Sequence, residues 1–116
     1  MIKMKNNILK TWTLHLIILL FCQFSFAQDG FYSKAYGNEA NPAIIFLHGG
    51  PGYNAFSFEF STARELADHG FYVIVYDQRG CGRTKSDKNS RYTFEEAFAD
   101  LDSIYTKHHV QAATLL

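Results

Sequence analysis

Two short stretches carry residue types that are suited to chemistry: "HGGPG" at residues 48–52 and "DQRGCGRT" at residues 77–84. Glycines have no Cβ, so a substrate can approach their backbone N–H groups closely, and such groups can stabilise an oxyanion. We therefore single out Gly49 and Gly50 as candidate oxyanion-hole donors. A tight turn between a strand and a helix would use the same two glycines for geometry alone, and both interpretations stay open at this point.

His48 precedes these glycines and is a possible general base, because histidine titrates near neutral pH. That role needs a hydroxyl or thiol nucleophile beside the imidazole, and the sequence contains no Gly-x-Ser-x-Gly turn. We therefore expect His48 to order the loop through hydrogen bonds instead.

Asp77 and Arg79 begin the second stretch. A dinucleotide-binding role is excluded because Pro51 stands between the glycines of the first stretch and the third glycine of the fingerprint is missing. We expect Asp77 and Arg79 to form a local network of charges and hydrogen bonds that holds the loops beneath a pocket.

The remaining histidines and cysteines give no convincing metal site. His108 and His109 are adjacent, so on a helix their side chains point in different directions, and His69 stands alone. Cys81 lies in a loop with no identifiable activating partner, so we expect an unreactive thiol. The sequence therefore predicts neither a metal nor another cofactor.

The elements that must position these residues alternate between strands and helices. Short apolar runs at 43–47, 71–76 and 112–116 predict buried strands, and "FYSKAY" at 31–36 predicts a short extended lead. Apolar residues at helical spacing predict a first helix whose inner face holds Phe56, Phe60, Ala63, Leu66 and Ala67, ended by Gly70.

A second helix begins at Thr93, which has capping-box spacing to Glu96. Its predicted apolar stripe comprises Phe94, Ala97, Phe98, Leu101, Ile104, Tyr105 and His108, and its predicted polar face includes Asp100. The connections between the strands are long enough for parallel pairing, so the sequence predicts α/β layers with right-handed crossovers.

Residues 1–27 form a different kind of sequence, with three lysines and no acid. A basic lead, an apolar stretch and the small residues Ser25 and Ala27 match a secretory signal peptide cleaved before Gln28. A transmembrane anchor is disfavoured because His15 and Gln23 interrupt an apolar stretch that is short for the roughly 20 residues of a span. A lipoprotein would use Cys22, which follows the bulky Phe21.

The balanced net charge gives no reason to expect a nucleic-acid partner. After cleavage no stable membrane association is expected, so the sequence predicts an exported, periplasmic or extracellular protein. Its two parts would be a signal peptide at 1–27 and an incomplete domain at 28–116.

Taken together, "HGGPG" and "DQRGCGRT", separated by a helix and a strand, resemble the prolyl iminopeptidase-like branch of the α/β-hydrolase superfamily. The match runs from about residue 31 to the end and corresponds to the N-terminal portion of such an enzyme. Thr84 departs conservatively from the serine often found at that position. The resemblance implies the N-terminal part of an α/β-hydrolase, with a mostly parallel sheet and flanking helices.

The resemblance also implies roles for individual residues. The backbone N–H of Gly50, with Gly49 next, would belong to the oxyanion hole, and Pro51 matches the proline of a His-Gly-x-Pro pattern. Loop support or substrate binding would fall to the other motif residues: His48, Pro51, Gly52, Asp77 and Arg79. The nucleophile, acid and base of the family are not matched, so we expect this part of the enzyme to be inactive by itself.

The implied function is that of an exported serine hydrolase, most simply an aminopeptidase acting on short peptides. Its partner would be a small peptide or ester substrate. Two alternatives stay open: an ester, lactone or other amide hydrolase of the same fold, and a non-catalytic exported binding module.

Overall fold

The structure, a computed structural model, describes residues 30–50, 52–86 and 88–116. The predicted signal peptide, including Cys22, and the candidate residue Pro51 therefore lie outside the described residues. Within the described ranges, no helix has both the length and the apolar character needed to span a bilayer.

The described ranges contain four strands and two long helices in one alternating order. The strands are β1 (Ser33–Tyr36), β2 (Ala43–Phe46), β3 (Tyr72–Tyr76) and β4 (Ala113–Leu115). Helix α1 occupies residues 56–68, and helix α2 is Phe94–Lys107. The predicted elements are thus confirmed, and the extended lead is itself a strand of the sheet.

The four strands form one sheet in the order β1-β3-β2-β4. Strand β2 pairs in parallel with both β3 and β4, whereas β1 pairs antiparallel with β3. The sheet is therefore mostly parallel, as the sequence predicts, with one antiparallel strand at its edge.

The two helices lie on opposite faces of this sheet. Side chains alternate along β3, so Val73 and Val75 pack in the cluster that contains Ala63 of α1, while Ile74 packs in the cluster that contains Ile104 of α2. The connection through α1 leads from β2 to its neighbour β3. The connection through α2 leads back from β3 past β2 to β4, so the two connections run in opposite directions across the sheet. Two crossovers of the same hand must then cover opposite faces, which is the observed arrangement.

The inner face of α1 differs from the prediction in its first half. Ala63 is fully buried and Leu66 and Ala67 pack against the core, as predicted, but Phe56 and Phe60 are 54% and 71% exposed. The buried positions there are Ala55 and Glu59, one residue earlier in each case. The cause is a π-helical segment, Glu59–Ala63, which contains an extra residue in its turn and shifts the preceding inner face by one position.

The predicted faces of α2 also need correction. Ile104 is buried and Leu101 and Tyr105 pack against the core, but Phe94 and Phe98 are 82% and 66% exposed. Asp100, predicted on the polar face, is buried. It is buried because it pairs with an arginine of the loop after β3, a contact that helical spacing alone does not reveal.

The predicted helix ends are confirmed. Gly70 adopts φ +89°, and the N–H of Phe71 donates to the carbonyl of Leu66, which closes α1 in a left-handed cap. Thr93 caps α2 by accepting a hydrogen bond from the N–H of Glu96 at 3.3 Å.

Candidate active site

The two glycine-containing stretches follow the neighbouring parallel strands β2 and β3, so they meet at the C-terminal edge of the sheet. His48 is buried there and joins them. Its Nε2 accepts a hydrogen bond from the backbone N–H of Gln78 at 2.9 Å, and its carbonyl accepts one from the Gln78 side-chain amide at 2.6 Å. His48 thus fixes the beginning of the first loop to the residue that follows Asp77.

A second contact fixes the end of the same loop. The backbone N–H of Ala55 donates to Oδ1 of Asp77 at 2.8 Å, and both residues are fully buried. Residues 49–50 and 52–54 therefore lie between two anchoring contacts, and both contacts are made by the consecutive residues Asp77 and Gln78.

The glycines between these anchors face open space. Gly50 and Gly52 have φ values of +70° and +80°, and a Cβ placed on Gly49, Gly50 or Gly52 would have no heavy atom within 4 Å. Among the described residues, none accepts a hydrogen bond from the backbone N–H of Gly49 or Gly50. The loop therefore presents backbone donors that a substrate oxygen could reach.

Asp77 and Arg79 both belong to charge and hydrogen-bond contacts of the loop after β3, but they do not pair with each other. The guanidinium that reaches Asp77 is that of Arg83, with Nε 2.7 Å from Oδ2 and Nη2 3.2 Å from Oδ1. Arg79 instead forms an ion pair with Asp100 of α2, through two guanidinium nitrogens, and its Nη1 contacts Ser90. The turn through Gly80 and Gly82 folds Arg83 back over Asp77, which the sequence does not reveal.

Asp77 is also held by the turn itself. The backbone N–H of Arg83 donates to Oδ2 at 2.9 Å, and the Thr84 hydroxyl donates to the Asp77 carbonyl at 2.6 Å. A Cβ on Gly82 would lie 2.5 Å from Oδ2 of Asp77 and 2.6 Å from Cβ of Asn54, so only glycine fits there.

Glu59 extends this network to α1 and β1. Its carboxylate accepts hydrogen bonds from Arg83 Nη1 at 2.8 Å and from the hydroxyls of Tyr32 and Tyr36 at 3.0 Å each, and Lys34 lies 3.4 Å away. The Arg83 guanidinium also stacks on the Tyr32 ring, 3.3 Å from its centroid. One arginine therefore bridges two buried carboxylates, and Lys34 brings a second positive charge to Glu59.

Both carboxylates are held in the ionised state. Burial by itself would raise the pKa of Asp77, but the hydrogen bonds from Arg83 and from the backbone N–H of Ala55 outweigh it and lower that pKa. Burial acts on Glu59 in the same way, and the hydrogen bonds from Arg83, Tyr36 and Tyr32 again leave its pKa lowered.

A pocket of about 610 Å³ lies between the two loops and the first turns of α2. Its lining includes His48, Gly50, Tyr76 and Tyr92, together with the ion-paired Asp100. Burial and the nearby charge of Asp100 raise the pKa of Tyr76 to about 12, so its hydroxyl stays protonated and neutral. Gly50 is therefore the candidate oxyanion donor that borders a cavity of substrate size.

Within the described ranges, no group of three or more histidine, cysteine or acidic side chains could hold a metal ion. Cys81 lines the same pocket as a half-buried free thiol.

Sequence reasoning missed Glu59 and Asp100 as parts of the site, and it gave no individual role to Gln78 or Arg83 within the loop after β3. Glu59 carried a detectable signal, because it is a lone charge between Phe58 and Phe60 at the start of an apolar helix. Gln78 carried none, because a glutamine in a polar loop looks like any solvated residue.

The sheet order, the crossovers and the position of the loop after β2, here called the glycine loop (residues 48–55), together define a known architecture. Residues 42–116 match the family described as the alpha/beta hydrolase fold. The chain belongs to the α/β-hydrolase fold family. The fold predicted from the sequence is thereby confirmed, and "HGGPG" occupies the loop after the first parallel strand of this α/β-hydrolase segment.

Relatives within the family include proline iminopeptidases. The proline iminopeptidase of Saccharolobus solfataricus is 35% identical over 66 residues, which make up 56% of this chain and 21% of that protein. The predicted resemblance to prolyl iminopeptidase-like hydrolases is therefore confirmed, over a segment that spans about a fifth of this relative.

Solved structures agree with this result. The proline iminopeptidase-related protein from Thermus thermophilus superimposes with a TM-score of 0.62 at 30% identity, over 73% of this chain and 30% of that chain. A carboxylesterase from Nitrososphaera gargenis gives a TM-score of 0.65 at 25% identity, again over 73% of this chain and 30% of that chain. Peptidase-like and esterase structures thus share this α/β segment.

Proposed function

We propose that this α/β-hydrolase segment supplies the oxyanion hole and part of the substrate pocket of an exported serine hydrolase that removes N-terminal residues from short peptides. The observation that carries the proposal is Gly50, which has φ +70°, borders the pocket and has open space beside it. A backbone N–H in this position could donate to the oxyanion that forms when a nucleophile attacks an amide carbonyl. Gly49 is the next candidate donor.

The nucleophile, acid and base of this mechanism lie outside the 116 residues in our proposal. The sequence contains no Gly-x-Ser-x-Gly turn, and the segment spans 21% of its proline iminopeptidase relative. Residues 28–116 made alone are accordingly expected to turn over neither a prolyl amide nor an ester.

The preference for peptides rests on the relatives called proline iminopeptidases, and the carboxylesterase similarity favours a second candidate, an ester hydrolase that uses the same oxyanion donors. A chromogenic prolyl amide and a short-chain nitrophenyl ester, assayed with the complete gene product, separate the two. Higher kcat/KM for the amide supports the peptidase. Labelling by a serine-directed fluorophosphonate would exclude a non-catalytic binding module.

Two neighbouring substitutions test the donor itself. Gly50→Ala forces alanine into a left-handed conformation, which costs about 1–2 kcal/mol and displaces the N–H, so we expect kcat to fall about tenfold. Gly49→Ala adds the same methyl group where no positive φ is required and no atom lies within 4 Å, and it should leave the fold intact. An unchanged kcat in Gly50→Ala would contradict the assignment of Gly50.

Export is the remaining part of the proposal. Residues 1–27 have the three-part pattern of a signal peptide, so mass spectrometry of exported protein should find Gln28 at the mature N-terminus. Retention of residues 1–27 in a membrane fraction would favour an anchor instead.

A further inference from the structure

Glu59 is a buried acid on a helix face that otherwise packs apolar side chains. It is 3% exposed and lies in the π-helical segment of α1. Because π-helical turns often occur at functional sites, the inward direction of Glu59 calls for a role beyond packing.

An unbroken series of contacts joins Glu59 to the glycine loop. Nη1 of Arg83 lies 2.8 Å from Glu59, and Nε of the same guanidinium lies 2.7 Å from Asp77. Oδ1 of Asp77 accepts the backbone N–H of Ala55 at 2.8 Å. Each step is a charge-assisted hydrogen bond, which is stronger and more closely oriented than a neutral one.

We propose that Glu59 is a positioning residue of the glycine loop: through Arg83 and Asp77 it holds the backbone N–H of Ala55, and with it the end of residues 49–55. The effect on catalysis rests on the proposed function, whereas the effect on the loop does not. Glu59 directs the guanidinium so that two nitrogens remain on Asp77. Without this carboxylate, Arg83 can turn toward solvent and Asp77 can release Ala55.

The surroundings of Glu59 support this directional role. Tyr32, Lys34 and Tyr36 of the β1 region face it from one side, and Arg83 faces it from the loop after β3. Arg64 of α1 lies over the Tyr36 ring, 5.7 Å from its centroid. Lys34 is half-exposed and makes no direct contact with Asp77 in the contacts above, so it is a second cation on Glu59 that, unlike Arg83, does not bridge to the loop.

The matched pair Glu59→Gln and Lys34→Gln tests the proposal in the complete gene product. In Glu59→Gln we expect the Ala55 amide to exchange with deuterium at least tenfold faster at neutral pH. We also expect kcat to fall about tenfold with KM unchanged, because the oxyanion donors shift while the pocket remains. Lys34→Gln should change neither quantity.

Unchanged Ala55 exchange in Glu59→Gln, or equal effects of the two substitutions, would overturn the proposal. If Glu59→Gln does not fold, Arg83→Lys keeps the positive charge but cannot hold both carboxylates, and it should accelerate Ala55 exchange in the same way; wild-type exchange in that variant would also overturn the proposal. Amide exchange needs no substrate, so a wild-type protein that hydrolyses nothing would overturn the proposed function alone.

Discussion

The two loops at the C-terminal edge of the sheet both contain closely spaced glycines, yet they are built in opposite ways. In the loop after β2, Gly49 and Gly50 border open space. In the loop after β3, a Cβ on Gly80 would lie 2.6 Å from the Tyr92 hydroxyl, and one on Gly82 would meet Asp77. The glycines of the first loop leave open space beside the backbone, and those of the second let the chain pack on itself.

This difference assigns the loops separate tasks. The loop after β3 is a rigid support, because Asp77 and Gln78 provide both anchors of the other loop. The loop after β2 can then hold its backbone donors in a fixed place without internal packing of its own. The proposed oxyanion site would depend on this division, since donors that must first be ordered contribute less to catalysis.

The largest expected effect comes from removing the guanidinium of Arg83 from the loop after β3, which is called the supporting loop below. Arg83→Gln leaves the buried carboxylates of Asp77 and Glu59 without their shared guanidinium, which should lower the free energy of unfolding by about 3 kcal/mol. Urea denaturation of the complete gene product measures the change. Lys34→Gln removes an exposed cation from the same Glu59 and should cause a much smaller loss; similar losses in both variants would show that the network does not support the loop.

Adding a methyl group to each loop compares their glycines directly. Gly82→Ala must push against Asp77 and Asn54 from a left-handed backbone, so we expect a loss of about 2 kcal/mol. Gly49→Ala meets no atom within 4 Å and should stay within about 0.5 kcal/mol of wild type. Equal stability of the two variants, measured by thermal or urea unfolding, would remove the distinction between the loops.

The sequence was sufficient for the elements and insufficient for the contacts between them. Runs such as "YVIVY" and the spacing of Leu101, Ile104 and Tyr105 report burial directly, so strand β3 and helix α2 were predictable. The partner of Asp77 was not, because it depends on a turn that brings a residue six positions away closer than one two positions away.

The first half of α1 shows a second limit. A regular helical period places Phe56 and Phe60 inside, and apolar composition supports that choice. The π-helical segment reverses it and buries Glu59, because Arg83 and two tyrosine hydroxyls from other parts of the chain satisfy the carboxylate. Partners so distant in sequence leave no periodic signal.

The pH dependence of stability should also report the supporting network. The pKa values of Asp77 and Glu59 in the folded protein are lowered from the ordinary values of 3.8 and 4.5. Their contribution to the free energy of unfolding is therefore complete above the ordinary values and is lost as the pH falls through the folded-state pKa values. Arg83→Gln removes the guanidinium that opposes burial most strongly at both carboxylates, while the hydrogen bonds from Ala55, Tyr32 and Tyr36 remain. Both pKa values should therefore rise, and the loss of stability on acidification should be smaller than in the wild type. Urea midpoints between about pH 3 and 7 distinguish the two slopes; parallel profiles would contradict the assigned ion pairs.

The smallest effect concerns Thr84, in the loop after β3. The Thr84 hydroxyl donates to the Asp77 carbonyl at 2.6 Å and accepts the backbone N–H of Tyr32 at 2.9 Å, so the oxygen joins β1 to the supporting loop. Thr84→Ser keeps both bonds and should change the free energy of unfolding by less than about 0.5 kcal/mol. Thr84→Val keeps the shape, leaves both backbone groups without their partner and should cost about 1–3 kcal/mol. If urea denaturation finds valine as well tolerated as serine, the methyl group rather than the hydroxyl is what this position requires, and the supporting loop is held by the Arg83 network alone.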